Sequence, residues 1–393
     1  MDDFPAGPAM PAPRRPALSV VVPVRNGGRS LERCLRGIRA STYNDYELIV
    51  VDDGSTDESA LRARELGAQV VRMPRSLGPA QARNHGVESA RAPLIFFLDA
   101  DVVPHEETLY LAVRRFEADP KLAALFGSYD DRPYARGMIS RYRNLLHHYV
   151  HQRGDFHENV RPAHTFWTGC GVIRRDVFRA IGGFDPDLYR RPAIEDIELG
   201  YRLTRAGHKI VLARDVQVTH LKRWTLGRLV RTDIFQRGVP WMLLILRSGT
   251  PESDLNVSPS QRLSVALTGL MLLSLAASLL WPWAALVAFA GLAVTITLNR
   301  RFYRFLGAQG GLSFALRSVP MHHLYFVCCG LAVVFAWAMW LWSSLHHPER
   351  DKENQGARPD LAGAAVPGPW MGRVRRRRPL SSASVETRDR DPR

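Results

Sequence analysis

The stretch PLIFFLDADVVP, residues 93–104, decides how the rest of the chain reads. Pro93 to Leu98 are wholly apolar, and two carboxylates, Asp99 and Asp101, follow one residue apart. A short apolar run bounded by turn residues predicts a buried strand. Its end then presents two oxygen ligands side by side. Hard cations such as Mg²⁺ or Mn²⁺ take such ligands and share their shell with substrate phosphates. An acidic turn without chemistry has the same local sequence, so the neighbouring segments must decide.

Outward from this strand the pattern repeats. LSVVVPV (18–24), YELIVV (46–51) and AQVVRM (68–73) are strands by their β-branched content. Between them lie three helical segments, GGRSLERCLRGIRAS, TDESALRARELG and LGPAQARNHGVESA. The second has acidic residues in its first turn and Gly67 at its end. Strand and helix in alternation predict an α/β fold, a mostly parallel sheet with helices on both faces. Ligands of such sheets bind beyond the carboxyl ends of the strands, where Asp52, Asp53, Asp99 and Asp101 fall. The first strand runs into PVRNGGRS and not into Gly-x-Gly-x-x-Gly, so a dinucleotide cofactor is not expected.

Residues 105–165 are less regular, apart from a basic amphipathic helix in MISRYRNLLHHYVHQRG. VFRAIGGFD predicts a helix closed by Gly182–Gly183, and AIEDIELGYRLTRAG a helix with an acidic start. There, Glu195, Asp196 and Glu198 suit the positive end of the helix dipole, and one of them could act as a general base. HKIVLARDVQVTHL holds one or two strands and delivers His220, by itself more often a structural residue than a ligand. Trp167 and the TGCG segment with Gly169 read either as a packed loop or as the wall of an acceptor site.

The chain of 393 residues carries a net charge of +15. That balance points to an anionic partner: nucleic acid, a membrane surface or phosphorylated substrates. Charge spread throughout the chain, without aromatic stacking positions, argues against nucleic acid. Residues 263–298 hold no charged side chain. One helix of that length would reach about 54 Å, against a hydrocarbon core of about 30 Å. Pro282 in WPW divides it into spans of roughly 261–280 and 283–299. A third apolar run covers about 320–343, and the arginine- and aromatic-rich segment near 300–318 suits an interface. The basic stretch 223–260 suits the membrane surface. Residues 1–16 read as a disordered Pro-rich leader without the apolar core of a signal peptide, and 346–393 as a disordered basic tail containing RVRRRR. Cys34, Cys170, Cys328 and Cys329 form no metal-ligand or disulfide pattern, which fits a reducing compartment. The expectation is a multi-pass protein of the cytoplasmic membrane with its catalytic domain, residues 17–222, in the cytoplasm.

VVPVRNGG, ELIVVDDGSTD, GPAQARNHGV, FFLDADV, TGCGVIRRDVFRAIGGFD and EDIELGYRL stand in the order and spacing of family 2 glycosyltransferases, which this chain resembles over about residues 17–245. The resemblance implies the GT-A fold and a nucleotide-diphosphate sugar donor. It places Pro23, Asp53, Arg83, Asp99 and Asp101 at the donor, with Asp53 on the nucleobase. It implies a divalent metal, Mg²⁺ or Mn²⁺, on Asp101 with a further contact from His220. It makes Asp196, the second residue of the Glu-Asp pair, the catalytic base of an inverting displacement. Trp167, Gly169, Glu195, Gln236 and Arg237 fall on the acceptor side.

Processive synthases of this kind carry Gln-x-x-Arg-Trp near the membrane. FQRGVPW has Gln236, Arg237 and Trp241 but no Arg-Trp pair. The favoured expectation is therefore transfer of one sugar to a lipid-linked or membrane-proximal glycan acceptor. Polymerisation, nucleotidyl transfer and a non-catalytic nucleotide-sugar-binding domain are the alternatives.

Overall fold

The computed structural model describes residues 15–189, 191–248 and 258–346. The sequence-predicted leader to residue 14 and the tail from residue 347 lie outside the described residues. Nine strands join one sheet: β1 (Leu18–Val24), β2 (Tyr46–Asp52), β3 (Gln69–Arg72), β4 (Leu94–Leu98), β5 (Val102–Pro104), β6 (Leu122–Tyr129), β7 (Val160–Pro162), β8 (Cys170–Arg174) and β9 (Lys209–His220). Their order is β3-β2-β1-β4-β8-β6-β9-β5, with β7 also on β9. The half β3-β2-β1-β4 is parallel, as the alternating pattern predicts. β6 and β9 are parallel too, while β8, β5 and β7 run against their neighbours. Chain order reverses between β1 and β4, so the crevice at their carboxyl ends is the expected ligand site.

The helices of this part are α1 (Gly28–Arg39), α2 (Ser59–Glu65), α3 (Pro79–Ser89), α4 (Thr108–Ala118), α5 (Met138–His151), α6 (Arg175–Ala180) and α7 (Glu195–Arg205). α1 buries Leu31, Cys34, Leu35 and Ile38, spaced three or four apart, against a sheet whose Val20, Val21, Ile49, Val50, Phe96 and Phe97 are fully buried. The sequence reading left several elements unassigned, α4 and β6 among them. α4 shows its stripe plainly, burying Leu109, Ala112, Val113 and Phe116. β6 is buried at all eight positions and so lacks the alternation that marks a half-exposed strand.

Beyond β9 come α8 (Leu226–Arg231), a π-helical turn (Thr232–Gly238), α9 (Val239–Ser248), α10 (Pro259–Ala277), α11 (Ala284–Leu298) and α12 (Arg300–His346). α10 and α12 are long and apolar enough to cross a bilayer. α11, with 15 residues, reaches only about 22 Å as a straight helix. α12 is broken at Gly311 (φ 78°), so the arginine-rich segment near 300 forms its first limb, and residues 312–318 continue into the third apolar run. α5 seats the sheet domain on this region: Tyr142, Leu145, Leu146 and Val150 pack with Phe302, Leu306, Phe314 and Phe326.

Candidate active site

The two carboxylates that end β4 face different partners. Arg83, buried on α3, donates from Nη2 to Asp99 Oδ1 and from Nη1 to Glu195 Oε1, both at 2.8 Å. Burial would lower the guanidinium pKa, but Asp99, Glu195 and Asp196 around it raise it above the ordinary value. Glu195 Oε2 accepts the backbone N–H of Ala193 at 2.9 Å. Both Glu195 oxygens are thus committed within the chain, and the side chain stays out of the acceptor-side cavity described below. Arg83 is a pin joining β4, α3 and α7.

Asp101 turns to His220, with Oδ2 3.6 Å from Nε2. Burial works to raise its pKa, yet His220 and Lys222 hold it below the usual carboxylate range. The pairing follows from the sheet. β5 runs against β9 with Val102 opposite His220, and Leu221 N–H donates to Asp101 O at 2.8 Å. His220 is buried, stacked on Tyr129 (4.3 Å, 8°), and its Nδ1 lies 2.6 Å from Asn144 Oδ1. An amide oxygen only accepts, so Nδ1 carries the proton and Nε2 is the nitrogen that can give its lone pair to a cation beside Asp101.

Asp53 lies beyond β2. Its Oδ1 accepts Leu77 N–H (2.7 Å), and its Oδ2 accepts Gly78 N–H (3.0 Å) and Ser76 O–H (2.8 Å). It fastens the loop that opens α3. Pro23 sits in β1 opposite Val51, near the same sheet edge. Among the described residues no group of three or more His, Cys, Asp or Glu side chains is placed to hold a metal ion. Asp101 and His220 provide two donors, a carboxylate oxygen and an imidazole lone pair. That set fits a cation completing its shell from a diphosphate and water.

Asp196 opens α7 on the other side of Arg83. Thr168 donates to its Oδ2 from N–H (3.2 Å) and Oγ1 (3.3 Å). Burial and then Glu195 push its carboxyl up to about 6, against the pull of Arg83 and Thr168. A base with that pKa is matched to neutral pH. Gly200 lets α7 approach: a Cβ there would lie 2.4 Å from Phe166 N. Gly200→Ala is expected to cost about 1–3 kcal/mol through overpacking, read as a lower unfolding midpoint. An unchanged midpoint would show that the 165–168 loop gives way freely.

Asp196 lines a cavity of about 510 Å³ together with Trp167, His147, Arg237, Trp241, and Val265 and Val333 of α10 and α12. The indole of Trp167 lies on Gly169, where a Cβ would come 2.3 Å from the ring, so Gly169 supports the wall without lining it. The π-helical turn aims Arg237 into the cavity and turns Gln236 back onto Thr232 (2.9 Å), away from it. Of the sequence-predicted acceptor-side residues, Trp167 and Arg237 therefore line the cavity. Sequence reasoning missed Asn144, Tyr129, His147 and the buried Arg143–Asp233 pair (2.6 Å) that anchors the π-helical turn to α5. One signal was present: Asn144, His147 and His151 recur at i, i+3 and i+7 among apolar residues of α5.

Residues 19–182 match the family model described as glycosyl transferase family 2. Residues 19–182 are a family 2 glycosyltransferase domain. The chain is 29% identical over 245 residues to the pre-mycofactocin glycosyltransferase of Mycobacterium tuberculosis, covering 61% of this chain and 50% of that relative. It is 27% identical over 225 residues to glycosyltransferase AglE of Haloferax volcanii, covering 55% of this chain and 70% of that relative. The chain thus spans about half the length of the mycobacterial relative. The fold is similar to that of a mannosyltransferase from Pyrobaculum calidifontis solved with GDP-Man and Mn²⁺, with a TM-score of 0.53 at 20% identity, over 82% of this chain and 88% of that one. The glycosyltransferase domain thus has a GT-A-like fold, followed by helices suited to membrane association.

Proposed function

We propose that this chain transfers one sugar, with inversion, from a nucleotide-diphosphate sugar to a hydroxyl of a lipid-linked or membrane-proximal acceptor. The observation that carries the reading is the cavity Asp196 shares with α9, α10 and α12: a carboxylate with the character of a base lines it together with apolar side chains of those helices. Pro23, Asp53, Arg83, Asp99 and Asp101 frame the donor crevice, and Asp53 keeps the loop against the nucleobase. Asp101 and His220 would hold Mg²⁺ or Mn²⁺, a class of ligand in line with the Mn²⁺ of the Pyrobaculum enzyme. A cation bound there supplies charge neutralisation on the leaving diphosphate. Asp196 takes the proton of the acceptor hydroxyl. The freed oxygen attacks the anomeric carbon, and the bond from that carbon to the diphosphate breaks. Arg237 faces the developing charge and Trp167 closes the site to water. The protein would sit in the cytoplasmic membrane with this domain in the cytoplasm.

The test uses purified full-length protein in detergent, a panel of nucleotide sugars, Mn²⁺, Mg²⁺ or EDTA, and membrane lipid extract. The expected result is nucleoside diphosphate release from one donor, lost with EDTA and stimulated several-fold by lipid, with an inverted anomer in the product. Release that ignores both EDTA and lipid would remove the metal and the lipid acceptor from the reading. No release from any donor would leave a binding domain.

A further inference from the structure

α5 lies outside the segments that carry the resemblance, yet it reaches the donor crevice at Asn144. Asn144 is 1% exposed, and its amide oxygen lies 2.6 Å from Nδ1 of His220, itself 4% exposed. Its amide nitrogen, Nδ2, is buried without a hydrogen-bond partner. A buried unpaired donor is destabilising, and native structures keep few of them. Leucine would fill much the same space at no such cost. Tyr129 stacked face-on against the imidazole stops the ring from turning, and Asn144 fixes which nitrogen bears the proton. The two constraints leave Nε2 facing Asp101 as the ring nitrogen that can give its lone pair to a cation.

We propose that Asn144 is a positioning residue that makes His220 a ligand for the divalent cation. The inference rests on the reading of Asp101 and His220 as the cation site. Histidine ligands to metals generally give their second ring nitrogen to an oxygen acceptor, and losing that acceptor typically costs roughly 10- to 100-fold in metal affinity. Without Asn144 the imidazole is free to protonate Nε2 and present a donor where the cation needs a lone pair. Asn144 also sits beside Arg143, which pairs with Asp233 of the π-helical turn, and beside Leu145 and Leu146, which pack on α12. The helix that tunes the cation site is therefore the one that seats the domain on the apolar helices.

The experiment measures Mn²⁺ affinity of the full-length protein by EPR titration, with UDP, GDP, CDP and dTDP tried in turn. The complexes are also examined for imidazole nitrogen hyperfine coupling to manganese. Asn144→Leu is expected to weaken Mn²⁺ about 10- to 100-fold and to remove the nitrogen coupling. Asn144→Asp keeps an oxygen acceptor and is expected to stay within about threefold, with the coupling intact. In a His220→Ala background Asn144→Leu should have no further effect, since the two act through one ligand. Unfolding midpoints check that each variant is folded. If the parent protein binds no Mn²⁺ with any nucleotide, the cation site itself is lost and this inference falls with it. If the parent binds Mn²⁺ with nitrogen coupling and Asn144→Leu does the same, Asn144 is only a packing residue.

Discussion

Asp196→Asn is expected to lower turnover about 10²- to 10⁴-fold while nucleotide-sugar binding stays within about twofold of the parent. The amide keeps the shape and the hydrogen bonds from Thr168 but cannot take a proton. Parental kcat/KM should fall as pH drops through about 6, where Asp196 becomes protonated. The same raised pKa has a consequence for stability. Its folded pKa lies above the unfolded value, so the ionised carboxylate is disfavoured in the fold, and its cost grows as pH rises from about 4 to about 6 and is level above. The Asn variant should therefore be more stable than the parent at pH 8, by on the order of 3 kcal/mol, and about equal to it at pH 4. A variant that loses activity while gaining stability cannot owe its loss to misfolding. Full activity would remove Asp196 as the base; such a result would fit an acceptor that is already an anion.

The largest effect on stability is expected at Arg83. Arg83→Leu leaves Glu195 buried without its cation and frees Asp99 from α3, at a cost of about 3–5 kcal/mol. Arg83→Lys keeps one charge but not the planar fork that spans two carboxylates, so it should fall between. Any folded fraction of the Leu variant should also show the acid limb of kcat/KM displaced to higher pH. Arg83 is one of the groups that hold the Asp196 pKa down, and removing a nearby cation raises it. Thermal unfolding read by intrinsic fluorescence measures the first effect and a pH–rate profile the second. A Leu variant within about 1 kcal/mol of the parent would mean that Glu195 and Asp99 find water or other donors.

The first half of the sheet was legible because β-branched runs alternate there with helices that start and stop on local signals. Asp53, Asp99, Asp101 and Asp196 were visible as acids at strand ends or at a helix start. What stayed hidden depends on long-range pairing. Glu195 looked like an acceptor-side acid, but its partner Arg83 is 112 residues away. The antiparallel placement of β8 between β4 and β6 leaves no mark in CGVIR itself. His220 could be suspected from the resemblance, but its orientation is set by Asn144, 76 residues earlier. Gln236 and Arg237 are neighbours in sequence, and only the wider winding of the π-helical turn sends one into the cavity and the other away.

The seating of α5 on α12 turns the site into a gauge of length. With Tyr142, Leu145 and Leu146 packed against Phe302, Leu306 and Phe326, the sheet domain that carries Asp196 has one seat on the apolar helices. Under the proposed function, a substrate anchored in the bilayer must bring its reactive oxygen to Asp196 as that seat places it. A head group one sugar too short or too long would miss the carboxylate, whatever its chemistry. Selectivity among membrane-anchored acceptors would then be decided by reach, set in part by Tyr142, Leu145, Leu146, Phe302, Leu306 and Phe326, none of which lines the cavity.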